Sequence, residues 1–470
     1  MKKFNKDKYL KKIKLKRFWQ NNLRCFYIGI SCILCLVLGV YFTYSKFFVS
    51  SEEDVARTTV GEFIYGDIIM TPYVDGQYSN TFPEKKTGIN VEKVVCDNDV
   101  TASWDEDKWG LYATNLSKRT KCSVYFVTPA SCGINDNVSC IDSREGLATL
   151  ATEVNNGDNK SGKIIYLTND LDLGGKFDSD GNALDGNISW TPIGNANYSF
   201  SGIFDGNGHI INHIFAVEDG SAALFYSIEN SVVKNLGVED SYMKSESDSA
   251  NGIIRAVESS RVENVYTKAI LNGHKSSSGL IRNLNNSVLK NCYSASTVNS
   301  NGEQFSSGLV GYVSNLSIIE NCYNYGEVVG NHEAGGIVGG LQGTIMNSYN
   351  AGVVTGLTTS GVIAGQYYTD NDVNPTIINC YNSSSVTGGG IIGKIVYNGV
   401  YSLKNNYYLK GSASYGIYSK KSDEGASPLS QDEMPSVLSV INRDNAFVED
   451  TNNINNGYPI LKWQAERENN

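Results

Sequence analysis

Apolar and polar positions recur with a regular spacing along the C-terminal half of the chain. Each copy of the pattern is centred on an asparagine that follows an aliphatic residue two positions earlier. These aliphatic residues are Val233, Val262, Leu289, Ile319, Ile345, Ile377 and Leu403. A second phrase, a glycine followed by two aliphatic residues, precedes most copies. Its glycines are Gly252, Gly279, Gly308, Gly336, Gly361 and Gly390, which lie 25 to 29 residues apart.

A unit of this length holds a few short strands and their turns, with too few residues for a helix in every repeat. One unit cannot bury its own aliphatic residues, so consecutive units must stack. Equivalent residues then lie about 4.8 Å apart, and each strand pairs in parallel with its copy in the next coil. Parallel crossovers are right-handed. The pattern therefore predicts a right-handed parallel β-helix over residues 141–465, with the recurring asparagines as a ladder of side-chain amides at a bend.

The two ends of this array differ from its repeats. The opening segment carries Leu147, Leu150 and Val154 at helical spacing, and the apolar run Lys163–Leu167 then predicts a strand. At the other end, residues 428–450 are expected to form a short helix before the closing strand. We expect this C-terminal cap to shield the last coil, as terminal repeats of solenoids do.

Alternating apolar and polar positions also mark residues 57–127, in four stretches separated by turn-forming residues. The stretches are Phe63–Ile69, Val91–Val95, Gly110–Thr114 and Cys122–Phe126. Strands of this kind predict a small antiparallel module that resembles a β-sandwich.

The N-terminal region has the pattern of a membrane anchor. Residues 25–45 are 21 positions without a charge, which is long enough for a helix that spans a bilayer core of about 30 Å. Residues 1–24 carry ten Lys or Arg and one acid, so this basic tail is expected in the cytoplasm and the bulk of the chain outside. Residues 46–56 are interpreted as a linker. A cleaved signal peptide and a buried soluble helix are the alternatives.

Charge narrows the choice of partners. The formal net charge is -10, and residues 1–24 contribute +9, so the remainder carries -10 - 9 = -19. An acidic body lacks the basic surface that nucleic acid requires, so nucleic acid is excluded as a partner.

Cysteines suggest two different roles. Outside the cytoplasm, Cys96 is expected to pair with Cys122, and Cys132 with Cys140, the alternative being reduced thiols. Three further cysteines share one column of the repeat with Ser348; they are Cys292, Cys322 and Cys380. Because serine and valine replace cysteine in this column and no histidine recurs beside it, we interpret it as a column of small packed residues and not as a metal or redox site.

Candidate chemistry is sparse. One tyrosine column is either a stacking ladder or a ligand-binding strip; its members are Tyr266, Tyr293, Tyr323, Tyr349 and Tyr381. Polar residues that a polysaccharide lyase or glycoside hydrolase could use are Asp170, Asp172, Asp178, Asp180, Asp205, His332 and Glu333. The segment Asp178–Asp185 has some features of a Ca²⁺ loop but lacks the full order of ligands. No other cofactor is indicated. Because the repeats are even, a scaffold is favoured and no catalytic residue is assigned.

The glycine phrases resemble the GLUG-motif family of bacterial surface proteins. Ser307–Gly311 and Gly335–Gly339 match its signature, while Gly252–Arg255 and Gly279–Arg282 lack the last glycine. Asn456–Trp463 is similar to the closing segment of such proteins. The resemblance implies a β-helix like that of pectin lyases, export from a Gram-positive or wall-less bacterium, and adhesion at the cell surface.

Two functions follow from these observations. The first is a membrane-anchored extracellular scaffold, without catalysis, that binds a glycan or protein ligand. The alternative is a polysaccharide lyase or glycoside hydrolase of the β-helix type. A purely structural spacer is a third possibility.

Overall fold

The computed structural model describes residues 48–50, 63–65 and 68–468, except 86–87, 98–99, 106–107, 115–118, 134, 303, 357–358, 369–374, 397–400 and 443–444. The membrane segment expected at residues 25–45 lies outside this part. Within it, no helix combines the length and the apolar character that crossing a bilayer requires. The chain divides into two compact units, residues 1–130 and 131–470.

The first unit contains two small sheets. Three strands form one sheet: Phe48–Ser50, Thr101–Asp105 and Gly110–Thr114. Five strands form the other: Phe63–Tyr65, Ile68–Val74, Gln77–Tyr78, Asn90–Cys96 and Thr120–Val127. Strands of both sheets contribute alternate residues, among them Leu111 and Val124, to one buried core. Phe48–Ser50 lies in the segment interpreted as a linker and pairs with Gly110–Tyr112.

The expectation of a purely antiparallel module is wrong at one pair of strands. Ile68–Val74 pairs in parallel with Thr120–Val127, while Phe63–Tyr65 folds back on it as an antiparallel neighbour. Parallel neighbours need a long crossover connection. Here the intervening chain supplies that crossover and forms other strands of the module on the way. Cys96 and Cys122 lie opposite each other on antiparallel strands, and the structure joins them in a disulfide.

The second unit opens with a strand, a helix and a second strand. The strands are Val138–Ile141 and Ile164–Leu167, and a 3-10 turn, Pro129–Ser131, precedes them. The helix, Arg144–Asn155, begins after Ser143, whose side chain accepts a hydrogen bond from the Gly146 amide as an N-cap. Its apolar face, with Leu147 and Val154, is buried against the first coils. A second disulfide joins Cys132 to Cys140.

The rest of this unit is a parallel β-solenoid of about nine turns, which confirms the predicted class of fold. The hand of the coil stays a prediction. The largest sheet contains, besides the two opening strands, Leu171–Asp172, Ile203–Asp205, Ile210–Asn212, Phe215–Glu218, Val232–Ser245, Arg261–Gly273, Val288–Lys290, Tyr293–Ser294, Thr297–Ser300, Ile318–Glu320, Tyr323–Asn324, Val328–Gly330, Thr344–Met346, Tyr349–Asn350, Val354–Gly356, Thr376–Ile378, Tyr381–Asn382, Ser402–Lys404, Asn406–Leu409 and Ala426–Leu429.

Two smaller parallel sheets form the other sides of the central coils. The seven-stranded sheet contains Phe225–Glu229, Ile254–Glu258, Ile281–Asn285, Val310–Ser314, Val338–Leu341, Ala364–Tyr368 and Ile392–Val396. The five-stranded sheet contains Ser249–Asn251, Ser276–Ser278, Ser306–Ser307, Glu333–Gly335 and Thr359–Gly361. The aliphatic residues that precede the asparagines point into the coil, and Val262, Leu289 and Ile319 are fully buried there.

The recurring asparagines form the bend of each coil. Their φ angles lie between 51° and 55°, in the left-handed region, which asparagine tolerates better than most residues. The seven are Asn235, Asn264, Asn291, Asn321, Asn347, Asn379 and Asn405. Their amides bond between coils, as from Asn379 Nδ2 to Asn347 Oδ1 at 2.9 Å and from Asn405 Nδ2 to Asn379 Oδ1 at 3.2 Å. The predicted ladder is confirmed at these rungs.

The C-terminal segment contains the expected short helix, Leu438–Ile441, before the closing strand, and the expected shielding of the last coil stays a prediction. It folds as a 3-10 turn, two short helices and a two-stranded sheet, which together we name the strap (residues 434–468). Its elements are Met434–Val437, Leu438–Ile441, Phe447–Val448, Ile460–Leu461 and Lys462–Glu468. The strap runs back along the side of the solenoid because its apolar residues pack in one cluster with the tyrosine column.

Candidate functional site

The tyrosine column is a stacking ladder. The rings of Tyr266, Tyr293, Tyr323, Tyr349 and Tyr381 stack with centroids 4.7 to 5.0 Å apart. Each of these side chains is at most 3% exposed. A strip that binds an external ligand needs exposed rings, so the sequence-based alternative of a ligand strip does not fit this arrangement.

The strap covers the ladder through specific contacts. Trp463 Nε1 donates to Asn291 O at 2.9 Å, and the guanidinium of Arg467 lies 4.2 Å from the centre of the Tyr266 ring. Tyr349 OH donates to Pro459 O. Burial under these residues raises the pKa of the Tyr349 hydroxyl well above its usual value. The strap, a segment of the same chain, therefore covers the tyrosine column.

The thiols of the stack are packing residues. Cys292, Cys322 and Cys380 are fully buried and free. Backbone amides of the preceding coil point at this column, as from Cys292 N to Cys322 Sγ at 3.4 Å and from Cys322 N to Ser348 Oγ at 3.1 Å. Burial raises the pKa of Cys380 to about 12. A protonated, inaccessible thiol is a poor nucleophile and a poor metal ligand.

The acidic residues considered for catalysis lie in different places. Asp170 and Asp172 are exposed and contact His209 and His213 of the next coil at 3.0 and 3.1 Å. Asp205 is buried and starts the asparagine ladder, accepting from Asn235 Nδ2 at 3.0 Å.

Asp178 forms hydrogen bonds within its own loop and does not meet the other acidic candidates in a common site. Its carboxylate accepts hydrogen bonds from the amides of Asp180 and Asn182 and from Asn182 Nδ2. These bonds hold the pKa of Asp178 below its usual value. Asp180 and Asp185 are both exposed. Across the described residues, no group of three or more His, Cys, Asp or Glu side chains is placed to hold a metal ion.

His332 and Glu333 instead line a cleft of about 550 Å³ on the side of the solenoid. We name it the aromatic cleft. Its lining residues are Ser276, Arg282, Asn283, Gln304, Phe305, Gly311, Tyr312, His332, Glu333, Gln366 and Tyr368. They come from neighbouring coils that the parallel register brings into line, with Asn283 opposite Tyr312.

Three aromatic rings form one wall of the cleft. Phe305 and Tyr312 stack with centroids 5.7 Å apart and an angle of 16° between their planes. Tyr368 stands across both rings, with centroids 6.2 Å from Phe305 and 5.8 Å from Tyr312. All three side chains are partly exposed. Aromatic residues placed in this way present apolar area together with a polar hydroxyl edge.

Glycines make room for this wall. A Cβ added at Gly340 would lie 2.8 Å from Tyr312 Cδ2 and 2.9 Å from Phe305 Cζ. A Cβ at Gly339 would overlap Phe305 Cβ. Side chains at either position would therefore displace the rings. Gly339 and Gly340 therefore leave the space that Phe305 occupies.

Polar groups surround the other sides of the cleft. Glu333 contacts His332 Nδ1 at 3.2 Å, and Gln366 Nε2 donates to the same carboxylate. Ser276 is 2% exposed, and its Oγ is buried without a hydrogen-bond partner among the described residues. The same sheet holds further buried serine hydroxyls without a partner among the described residues, namely Ser278, Ser306, Ser307 and Ser360, and Ser276 is the one of them that lines the cleft.

The ion pair at the rim of the cleft is internally satisfied. Arg282 Nη2 lies 3.1 Å from Asp248 Oδ1, and Nη1 donates to Asp248 Oδ2 at 3.3 Å. A further bond runs from Arg282 Nη2 to Gln304 Oε1 at 3.0 Å. Burial lowers the pKa of Arg282, and the neighbouring Asp248 opposes that shift.

A larger groove of about 650 Å³ lies elsewhere on the solenoid, between the loop at Lys176 and the strand at Lys268. Its floor includes Ala269 and Ala295. Among the described residues that line it, none carries a buried side-chain atom without a partner. The aromatic cleft is therefore the better candidate site.

The sequence analysis named two residues of this cleft, His332 and Glu333, and missed its aromatic wall. Phe305 and Tyr368 lie more than 60 residues apart, because 368 - 305 = 63. Only the stacking register brings them together. The spacing of the glycines does not signal Phe305, because the interval of 29 residues before Gly308 recurs before Gly390.

Comparisons with known proteins add little to these observations. No family model matches the chain, and no curated protein matches it. Among solved structures, a proposed immunoglobulin A1 protease from Bacteroides ovatus is similar, with 21% identity and a TM-score of 0.44. The alignment covers 70% of this chain and 94% of that structure. The function is therefore argued from the residues of this chain.

Proposed function

We propose that the chain is a membrane-anchored bacterial surface protein of the GLUG-motif kind, and that its solenoid is a non-catalytic scaffold for a glycan or protein ligand. The observation that carries this proposal is the aromatic cleft. It is a concave site with an apolar wall and a few convergent polar groups, which is the usual composition of ligand sites.

The carboxylates support binding over cleavage. Glycoside hydrolases of the usual kind place two carboxyl groups about 5 to 9.5 Å apart across the scissile bond. Among the described residues that line the aromatic cleft, Glu333 is the single carboxylate. The other acidic candidates form pairs or close turns at separate positions on the solenoid.

The position outside the cell rests on two features. Residues 25–45 have the length and the flanking charges of a signal anchor, with the basic tail on the cytoplasmic side. Disulfides such as Cys96–Cys122 and Cys132–Cys140 persist in oxidising compartments. Protease treatment of intact cells tests this arrangement: the solenoid should be digested while an epitope at the N-terminus stays protected.

Binding is tested with the full chain in a mild detergent, probed against immobilised glycans and extracellular proteins. We expect saturable binding that Tyr312→Ala weakens and that Tyr418→Ala leaves unchanged. Tyr418 is a matched control because it is an exposed tyrosine, 44% accessible, outside the cleft. Shortened glycan products would contradict a non-catalytic role, and the absence of any saturable ligand would contradict the binding role.

A further inference from the structure

We propose that the aromatic cleft binds an uncharged sugar ring, which packs its apolar face on Tyr312 and Phe305 and bonds its hydroxyl groups to Ser276, His332 and Glu333. This inference rests on the proposed binding function and names the class of ligand. It excludes uronates and amino sugars as preferred ligands of this cleft.

The charges in the cleft argue against an anionic ligand. Arg282 is the permanent cation among the described lining residues, and its side chain is only 16% exposed. Both of its terminal nitrogens already contact Asp248, and one of them also donates to Gln304. An anion would have to compete with a bidentate carboxylate, which is among the strongest partners of a guanidinium group.

A cationic ligand is also disfavoured. The one carboxylate on the wall, Glu333, has a side chain that is 12% exposed, and it already accepts from Gln366 and contacts His332. Its remaining lone pairs can accept from hydroxyl groups at the rim. Moving an ammonium group from water into this half-closed site costs desolvation free energy. Its attraction to one carboxylate that already has two partners does not compensate for that cost.

The free hydrogen-bonding groups match hydroxyls. Ser276 Oγ can both donate and accept, as a sugar hydroxyl can. A carboxylate only accepts, so the His332 Nδ1 that faces Glu333 carries a proton and donates it to this bond. Gln304 uses its Oε1 for Arg282, and its amide nitrogen is left to donate. The opening therefore offers both donors and acceptors to a ligand.

The aromatic wall suits the other face of a sugar. The ring carbons of a pyranose expose C–H groups on a flat face, and burying this face against Phe305 and Tyr312 removes apolar area from water. The cleft volume of about 550 Å³ falls within the range of about 300 to 1,000 Å³ of small-molecule sites. Charged sugars share the apolar face, so the charge argument is what separates the classes.

The test uses the full chain in detergent and three oligosaccharide panels: neutral hexose and N-acetylhexosamine oligomers, uronate oligomers, and cationic glucosamine oligomers. We expect a neutral oligomer to bind, with a dissociation constant that does not change between low and high salt, because no net charge is neutralised. Preferential binding of uronate or cationic oligomers would overturn the ligand class while leaving the proposed binding function intact.

Variants locate the site. Tyr312→Ala should weaken binding by roughly tenfold or more, as removal of a central aromatic contact usually does. Tyr312→Phe keeps the ring and should bind within about twofold of the parent chain. Ser276→Ala should lose about three- to tenfold, the usual effect of one hydrogen bond. Tyr418→Ala serves again as the surface control, and circular dichroism checks that each variant is folded.

The outcomes separate this inference from the function on which it rests. If the chain binds a protein or a glycan and Tyr312→Ala binds equally well, the ligand lies outside the aromatic cleft and the inference fails alone. If no ligand of any class binds the parent chain, the proposed function fails as well. If Tyr312→Ala unfolds, Ser276→Ala still decides whether the cleft is the site, because parent-like binding by this folded variant would overturn the inference.

Discussion

Replacing Asn379 tests why asparagine recurs at every bend of the solenoid. This residue is 4% exposed and has a φ of 55°. Its side chain donates to Asn347 Oδ1 at 2.9 Å and accepts from Asn405 Nδ2 at 3.2 Å. Asparagine therefore has two separable roles here: it tolerates a left-handed backbone, and it links three coils. Alanine removes both roles, whereas glycine removes only the hydrogen bonds.

The magnitudes follow from these two roles. Losing two amide hydrogen bonds costs roughly 1 to 3 kcal/mol, at about 0.5 to 1.5 kcal/mol each. A left-handed alanine costs about 1 to 2 kcal/mol more, so Asn379→Ala should lower the free energy of unfolding by roughly 2 to 5 kcal/mol. Asn379→Gly avoids the strain but adds about 0.4 to 1 kcal/mol through a more flexible unfolded chain. With the middle of each range, about 1.5 - 0.7, the glycine variant should be the more stable by about 0.8 kcal/mol.

The assay is urea unfolding of the full chain, with the midpoint compared at constant slope, together with hydrogen exchange of the amides in the coil of residues 376–382. The control is Asn453, which has a φ of 54° and an exposed side chain outside the ladder. Asn453→Ala should show the backbone cost alone, about 1 to 2 kcal/mol. Equal stability of Asn379→Ala and Asn379→Gly would refute the backbone argument, and parent-like stability of both would refute the ladder.

Further predictions concern the strap, the tyrosines and the cysteines. The ring of Phe447 is 2% exposed and lies 5.9 Å from the Tyr349 ring. Phe447→Ala should therefore lower the free energy of unfolding by about 3 to 5 kcal/mol and speed proteolysis of the strap. An unchanged digestion pattern would contradict this. Burial raises the pKa of the ladder tyrosines above the unfolded value of 10.0. The stability that these tyrosines contribute should therefore be constant below about pH 10 and fall as the pH rises further, because only the unfolded chain ionises easily. An unfolding midpoint that stays flat up to pH 11 would argue against this prediction. Peptide mapping after maleimide treatment should find Cys380 labelled only in denaturant, since it is buried with a pKa of about 12. Reducing Cys96–Cys122, which closes a separation of 26 residues, should destabilise the first unit by about 3 to 4 kcal/mol, as measured by its melting temperature.

The solenoid could be predicted from the sequence because each coil repeats the environment of the one before. An aliphatic residue two positions before the asparagine, such as Ile319 or Ile345, meets similar neighbours in each copy and is buried in every one except Leu403, which is partly buried. Each copy of the pattern therefore predicts the same coil independently. The asparagine was assigned to a ladder correctly, but its left-handed backbone was not foreseen, because a side-chain pattern does not show φ.

Pairings between distant segments could not be predicted in the same way. Ile68–Val74 joins Thr120–Val127 in parallel across the length of the first module, and nothing in the alternation of either strand specifies its neighbour. The tyrosine column had two interpretations for a similar reason. The tyrosines of a stacking ladder and those of an exposed ligand strip have the same spacing in the sequence. The strap buries them and so decides between the two interpretations, but it is a separate segment that does not follow the repeat.

The aromatic cleft shows where function can be sought in a repeat protein. Residues that obey the repeat, such as the buried Val310 and Val338, have the same task in every coil and so cannot distinguish one coil from another. Recognition needs a local difference. The cleft is built from such differences: Arg282 stands where later coils have glycine, and Tyr312 faces Gly340 in the next coil. The positions that depart from the repeat are therefore those at which a ligand site is expected in this solenoid.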